Sequence, residues 1–253
     1  MTNKLKYFIG NWKMFGDLSG IKKIYQIQRF CSSNKKIREK IKIVMCVPNT
    51  LIHFFSNTLK SKFISLGAQN CHFNESYGSF TGSVNASMLK KVGAKYIILG
   101  HSENRTEGET NKVIRKKIDA ALNQNLKIIF CIGETYNEKL KKRTFSILKS
   151  QIKGSLKKKH NLKNIIIAYE PVWSIGTGKI PKIYELEKIF KYIKNEFKKI
   201  FKTKSFPIVL YGGSVNETNI SKLSMITLLD GFLIGGASQS PKKFIDIIKN
   251  YYK

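Results

Sequence analysis

Ile165-Ile166-Ile167-Ala168-Tyr169-Glu170-Pro171 is a short apolar run, rich in β-branched residues, that stops on a carboxylate and a proline. It is too short for a typical helix and too continuous for a strand with one face in water. It reads as a parallel strand buried on both faces. After the glycine-bearing stretch Ile175-Gly176-Thr177-Gly178-Lys179 come Leu186, Ile189, Phe190, Ile193, Phe197, Ile200 and Phe201. Spacings of three and four put these on one stripe of a helix. Lys188, Lys191, Lys194, Lys198 and Lys199 read as its solvated basic face. Strand, loop and helix make one βα unit.

The same unit recurs in both directions. Upstream lie the apolar runs Tyr7 to Ile9, Ile41 to Val47, Phe63 to Ala68, Tyr96 to Leu99 and Lys127 to Ile132. Downstream lie Pro207 to Tyr211 and Phe232 to Ile234. Helical patterns separate them, with Asn49-Thr50 and Asn216-Glu217-Thr218 as expected N-terminal caps. Eight such units in 253 residues predict an α/β fold, a (β/α)8 barrel. No linker-like stretch divides the chain, so residues 1–253 read as a single domain. The competing fold is a doubly wound sheet. Against it, the first strand runs into Gly10-Asn11-Trp12-Lys13 and not into GxGxxG.

Composition narrows the class. With 42% hydrophobic residues a large core is available, and 18 Gly with 5 Pro exclude collagen-like and low-complexity chains. No stretch approaches the ~20 apolar residues of a membrane span. The run Met1 to Gly10 lacks the apolar centre and cleavage site of a signal peptide, so a cytoplasmic protein is expected. Net charge is +30, from 46 Lys+Arg against 16 Asp+Glu. That balance raises nucleic acid as a partner. The basic residues are almost all lysines, however, and are spread along the chain, whereas base and phosphate readers lean on arginine. Lys, Ile, Asn, Phe and Tyr are abundant together and share AT-rich codons, so the charge reads as compositional drift. Cys31, Cys46, Cys71 and Cys131 show no CxxC spacing and read as reduced thiols, with neither a disulfide framework nor a metal site expected.

The chemistry-bearing residues fall where strands stop: Asn11 and Lys13, then His101, Ser102 and Glu103, then Glu170, then Gly212-Gly213-Ser214, then Gly235-Gly236. In a barrel these converge on the C-terminal mouth, where catalytic residues gather. The Gly-Gly turns offer backbone N–H groups to an anion such as phosphate. Lys13 adds positive charge, Glu170 is placed to take a proton, and His101 to donate to an oxyanion. Together these fit proton abstraction beside a carbonyl in a phosphate-bearing substrate. His53, His72 and His160 read as structural.

These stretches carry a resemblance. Gly10-Asn11-Trp12-Lys13-Met14, Gly100-His101-Ser102-Glu103, Ala168-Tyr169-Glu170-Pro171-Val172-Trp173, Ile175-Gly176-Thr177-Gly178-Lys179, Tyr211-Gly212-Gly213-Ser214-Val215 and Gly235-Gly236-Ala237-Ser238 resemble, in order, the motifs of the triosephosphate isomerase family. Ala68-Gln69-Asn70, Phe80-Thr81-Gly82 and Cys131-Ile132-Gly133-Glu134 add to the match. The resemblance implies interconversion of dihydroxyacetone phosphate and glyceraldehyde 3-phosphate with no cofactor and no metal. It implies Glu170 as base, His101 as electrophile, Lys13 as electrostatic stabiliser with Glu103 as its ionic partner, and Asn11 as an orienting group. It implies that Gly176, Ser214, Gly235 and Gly236 bind phosphate. Val172 to Lys179 would be a lid, held closed by Tyr211 and Ser214. Another sugar-phosphate isomerase or epimerase, or a basic nucleic-acid-binding protein on a barrel scaffold, are the competing readings.

The family is also dimeric. The loop Phe73 to Ser83 would enter a second subunit near its Asn11 and Lys13, with Thr81 bracing Asn11. Four positions depart from the pattern: Ser174 stands for a usual Ala in the lid, Gln239 for Leu, Asn104 for Arg and Ser83 for Glu. The last two remove both ends of an inter-subunit ion pair.

Overall fold

The computed structural model describes residues 5–253; Met1 to Lys4, part of the expected 1–253 unit and of the run Met1 to Gly10 expected to hold no signal peptide, lie outside the described residues. The strands are β1 (Lys6–Asn11), β2 (Ile41–Cys46), β3 (Ile64–Ala68), β4 (Tyr96–Leu99), β5 (Lys127–Ile132), β6 (Ile165–Tyr169), β7 (Ile208–Tyr211) and β8 (Gly231–Ile234). They follow in sequence order around a closed barrel, each parallel to the next. β8 returns to β1 with Phe232 opposite Phe8. Consecutive parallel pairing forces a crossover between every two strands, and the helices fill those crossovers.

Strand alternation makes two cores. Ile9, Val44, Ile98, Ile129, Ile166, Leu210 and Leu233 point inward and fill the barrel. Their neighbours, such as Phe8, Ile43, Ile97, Ile128, Phe130 and Ile167, point outward and meet the helices. Both faces are dry, which explains why the runs looked continuous and not alternating.

The long helix Ile183–Phe201 buries Leu186, Ile189, Phe190, Ile193 and Phe197, as the spacing predicts. Lys194 departs from the expected basic face. It is buried, with its Nζ 2.7 Å from Asp230 Oδ2 at the start of β8. Asp230 Oδ2 also accepts from the Val209 amide at 2.9 Å, so one carboxylate ties helix, β7 and β8 together. The expected caps also differ. In the helix Asn49–Thr58 the cap position is Pro48, with no side-chain capping bond, and Asn49 is already helical. Asn216 Oδ1 accepts the amides of Thr218 and Asn219 in a preceding turn, and the helix itself starts at Ile220. The four cysteines are free and buried.

Candidate active site

A cavity of about 420 Å³ opens at the C-terminal end of the barrel. Asn11, Lys13, His101, Glu170, Gly176, Ser214, Gly235 and Gly236 all line it. Glu103 borders the adjoining hollow beside Lys13 and His101. Every site residue expected from the sequence is therefore brought to one mouth.

Glu170 follows β6 directly, and its amide still donates to Ile132 on β5 at 2.8 Å. Its side chain is only 3% exposed. Burial raises the carboxyl pKa, opposed by His101, by a hydrogen bond from the Cys131 thiol, and by Lys13. A raised carboxyl suits a base that must work near neutrality and then release its proton. Its Oε2 is buried and has no hydrogen-bond partner among the described residues. Room for this side chain comes from Gly212, where an added Cβ would stand 2.7 Å from Glu170 Cγ. The Gly-Gly turn after β7 thus serves the carboxylate as well as any anion. The sequence reading had given it to the anion alone.

His101 caps the short helix Ser102–Thr106, and its Nδ1 accepts from the Glu103 amide at 3.3 Å. With Nδ1 taken up as an acceptor, Nε2 is the ring nitrogen left to donate. That Nε2 lies 3.3 Å from Glu170 Oε1. A donor and a base therefore flank the same point.

Lys13 has φ 55°, in the left-handed region that a lysine seldom adopts. Asn11 holds this turn by accepting the Lys13 amide through Oδ1 at 3.1 Å. The turn aims the ammonium across the mouth, where Nζ meets Glu103 Oε1 at 2.5 Å. Backbone strain kept at such a place is a mark of a functional constraint.

In the segment Val172 to Lys179, Ser174 is buried and Gly176 to Lys179 are exposed. Trp173 Nε1 donates to Glu134 Oε1 at 3.0 Å, and Tyr169 reaches the same buried carboxylate. Burial raises the Glu134 carboxyl, partly offset by the bond from Trp173. The Lys139 ammonium sits 3.6 Å from the centre of the Trp173 ring. The sequence alone gives Glu134, Lys139 and the Cys131 thiol no role; the signals there are the place of Cys131 and Glu134 at the end of β5 and in the resembling stretch Cys131-Ile132-Gly133-Glu134.

Comparison with known proteins agrees with this geometry. The sequence model of the family described as triosephosphate isomerase matches residues 6–251. The triosephosphate isomerase of Brucella abortus is 38% identical over 244 residues, covering 96% of this chain and 95% of its own. That of Dictyoglomus thermophilum is 38% identical over 250 residues, covering 97% and 99%. The crystal structure of triosephosphate isomerase from Bartonella henselae superposes with a TM-score of 0.88 at 34% identity, covering 98% of this chain and 99% of that one.

Proposed function

Since the chain belongs to the triosephosphate isomerase family, we propose that it interconverts dihydroxyacetone phosphate and D-glyceraldehyde 3-phosphate through an enediolate, with Glu170 as the base. The observation that carries this reading is the approach of Glu170 Oε1 and His101 Nε2 to 3.3 Å at the cavity that Ser214, Gly235 and Gly236 also line. Glu170 takes the proton from the carbon beside the carbonyl and returns it to the neighbouring carbon. Neutral His101 donates Nε2–H to the developing oxyanion and relays the hydroxyl protons. Donation from a neutral ring spares the site a second buried charge.

Lys13 supplies the positive charge that an enediolate and a phosphate dianion both need. Glu103 and Asn11 hold it there. Gly176, Ser214, Gly235 and Gly236 receive the phosphate through backbone N–H groups. Closure of Val172 to Lys179 excludes water, which otherwise lets the intermediate eliminate phosphate.

A homodimer in the cytoplasm is the assembly and location this reading carries. Met14 beside the mouth, and Phe15, Tyr77 and Phe80 on the loops that follow β1 and β3, are exposed apolar groups that support a covered face. Among the described residues no helix is long and apolar enough to cross a membrane. A specific nucleic-acid partner is not part of the reading.

The test is isomerisation of glyceraldehyde 3-phosphate in a coupled assay beside Glu170→Ala. The variant should lose more than the ~10²–10⁴ typical of acid–base catalysis, because orientation is lost with the base. A variant as active as the parent would remove Glu170 from the role.

A further inference from the structure

We propose that Arg105 is a positioning residue for the reaction, whose guanidinium sets the spacing between His101 and Glu170; the proposal rests on the functional reading above. Arg105 lies in the short helix Ser102–Thr106, and its amide donates to the His101 carbonyl at 3.0 Å. The side chain turns back from there to the strand ends. Nε donates to the Gly100 carbonyl at 2.8 Å, Nη2 to the Cys131 carbonyl at 3.3 Å and Nη1 to Asn111 Oδ1 at 2.8 Å.

The pairing of β4 with β5 ends at Leu99 opposite Phe130. One residue further along each strand, the guanidinium takes over and joins the two carbonyls. Gly100 makes this possible. Its φ is 74°, and an added Cβ would lie 3.0 Å from Arg105 Nη2 and 3.2 Å from the Cys131 oxygen. The Gly100 carbonyl shares a rigid peptide plane with the His101 nitrogen, so holding one fixes the root of the imidazole. The Cys131 carbonyl anchors the peptide leading into Ile132. The Cys131 thiol bonds the Glu170 carboxyl, and the Ile132 carbonyl accepts the Glu170 amide at 2.8 Å. One planar fork therefore holds the backbone behind both partners of the 3.3 Å approach. A lysine ammonium, a point donor on a flexible stem, cannot reproduce that geometry.

The cation also acts on the base by its charge. The acidic groups facing Arg105 are Cys131, Glu109 and Glu170, and Glu109 is itself paired with Lys117. Those facing Glu170 besides Arg105 are His101, Cys131, Lys13 and Glu103. Attraction between Arg105 and Glu170 favours the ionised carboxylate, against the burial that raises its pKa.

The experiment compares the parent with Arg105→Lys, which keeps the charge and loses the fork, and Arg105→Met, which loses both. Rates are read well below the melting temperature of each variant. Misplacing a reacting group by about 1 Å costs on the order of 10²-fold, so both variants should lose about that factor in kcat. KM depends on Lys13 and the glycine turns and should stay within a few-fold. The Glu170 carboxyl is titrated by carbon NMR on glutamate-labelled protein, its signal being the one missing from Glu170→Gln. It should titrate at higher pH in Arg105→Met and close to the parent in Arg105→Lys. A residue that only stabilises the fold would lower the melting temperature and leave kcat and the Glu170 titration unmoved, and that result overturns the proposal.

Asn111→Ala keeps the arginine but frees Nη1, and carries the same test should both Arg105 variants fail to fold. Its kcat should fall with KM kept; a folded Asn111→Ala as fast as the parent overturns the proposal. A parent protein that does not isomerise triose phosphates overturns the functional reading instead, and the Glu170 titration still decides the role of Arg105.

Discussion

Gly212→Ala tests whether the position of the Glu170 carboxylate controls turnover. The new Cβ would stand 2.7 Å from Glu170 Cγ and 3.2 Å from its Oε1. Ordinary carbon–carbon contact is ~3.5–4.0 Å, so the side chain must retreat by about 1 Å. With His101 and the Cys131 thiol packed close by, the way left is into the cavity, away from the point that it shares with His101. The bond from the Gly212 amide to Tyr169, 2.8 Å long, is open to alanine as well, so the backbone is not the target. A displacement of about 1 Å at a reacting group costs on the order of 10²-fold in rate. Overpacking should cost about 1–3 kcal/mol of stability. The lid and the glycines after β8 are untouched, so KM should change little while kcat falls. Initial rates of isomerisation on protein shown to be folded by thermal melting give the answer. A folded variant with kcat within a few-fold of the parent would refute the claim that this gap sets the carboxylate.

Four further outcomes are expected. Burial holds the Glu170 carboxyl above the ordinary 4.5, so kcat/KM should fall on the acid side through a step lying above that value. The same raised pKa means the folded state keeps its proton longer than the unfolded one. Stability is therefore lost as pH rises through the folded pKa, and Glu170→Gln should melt higher than the parent at neutral pH but not below pH 4.5. Lys194→Met leaves Asp230 buried without its ammonium and should cost about 3–5 kcal/mol in urea unfolding, against about 0.5 or less for exposed Lys191→Met. Two subunits of +30 each repel, so association measured by sedimentation should strengthen with salt, whereas kcat/KM for the anionic substrate should fall.

The strands were legible because a barrel strand is apolar on both faces, and the runs of β1, β4, β6, β7 and β8 end on or next to the site residues. Ile165 to Tyr169 and Glu170 show this most plainly. What periodicity could not supply is the partner brought from elsewhere in the chain. Lys194 lies at the edge of the helical stripe, and nothing local says that Asp230 will meet it across the barrel's base. Gly212 and Gly213 read as an anion cradle. That Gly212 also clears space for Glu170, and Gly213 for Tyr211 and Ser174, depends on side chains from β6, β7 and the lid arriving together. The N-terminal cap of Asn49–Thr58 was misplaced by one residue, because Pro48 takes the cap and a proline is seldom read as one. Ser174 stood out only as a departure from the family pattern; its bonds to Lys179, Tyr211 and Ser214 emerge once the segment packs against β7.

The central claim is that a carboxylate carries the proton between two carbons of the substrate. It is tested most directly by running the isomerisation in D2O and reading the product by mass spectrometry and NMR. A proton resting on Glu170 can exchange with solvent before it returns. The account therefore predicts product deuterated at the carbon that receives the proton, and no product from Glu170→Ala. Deuterium-free product formed by Glu170→Ala at the parent's rate would mean that hydrogen moves directly between the carbons, and would contradict the assignment of Glu170 as the base.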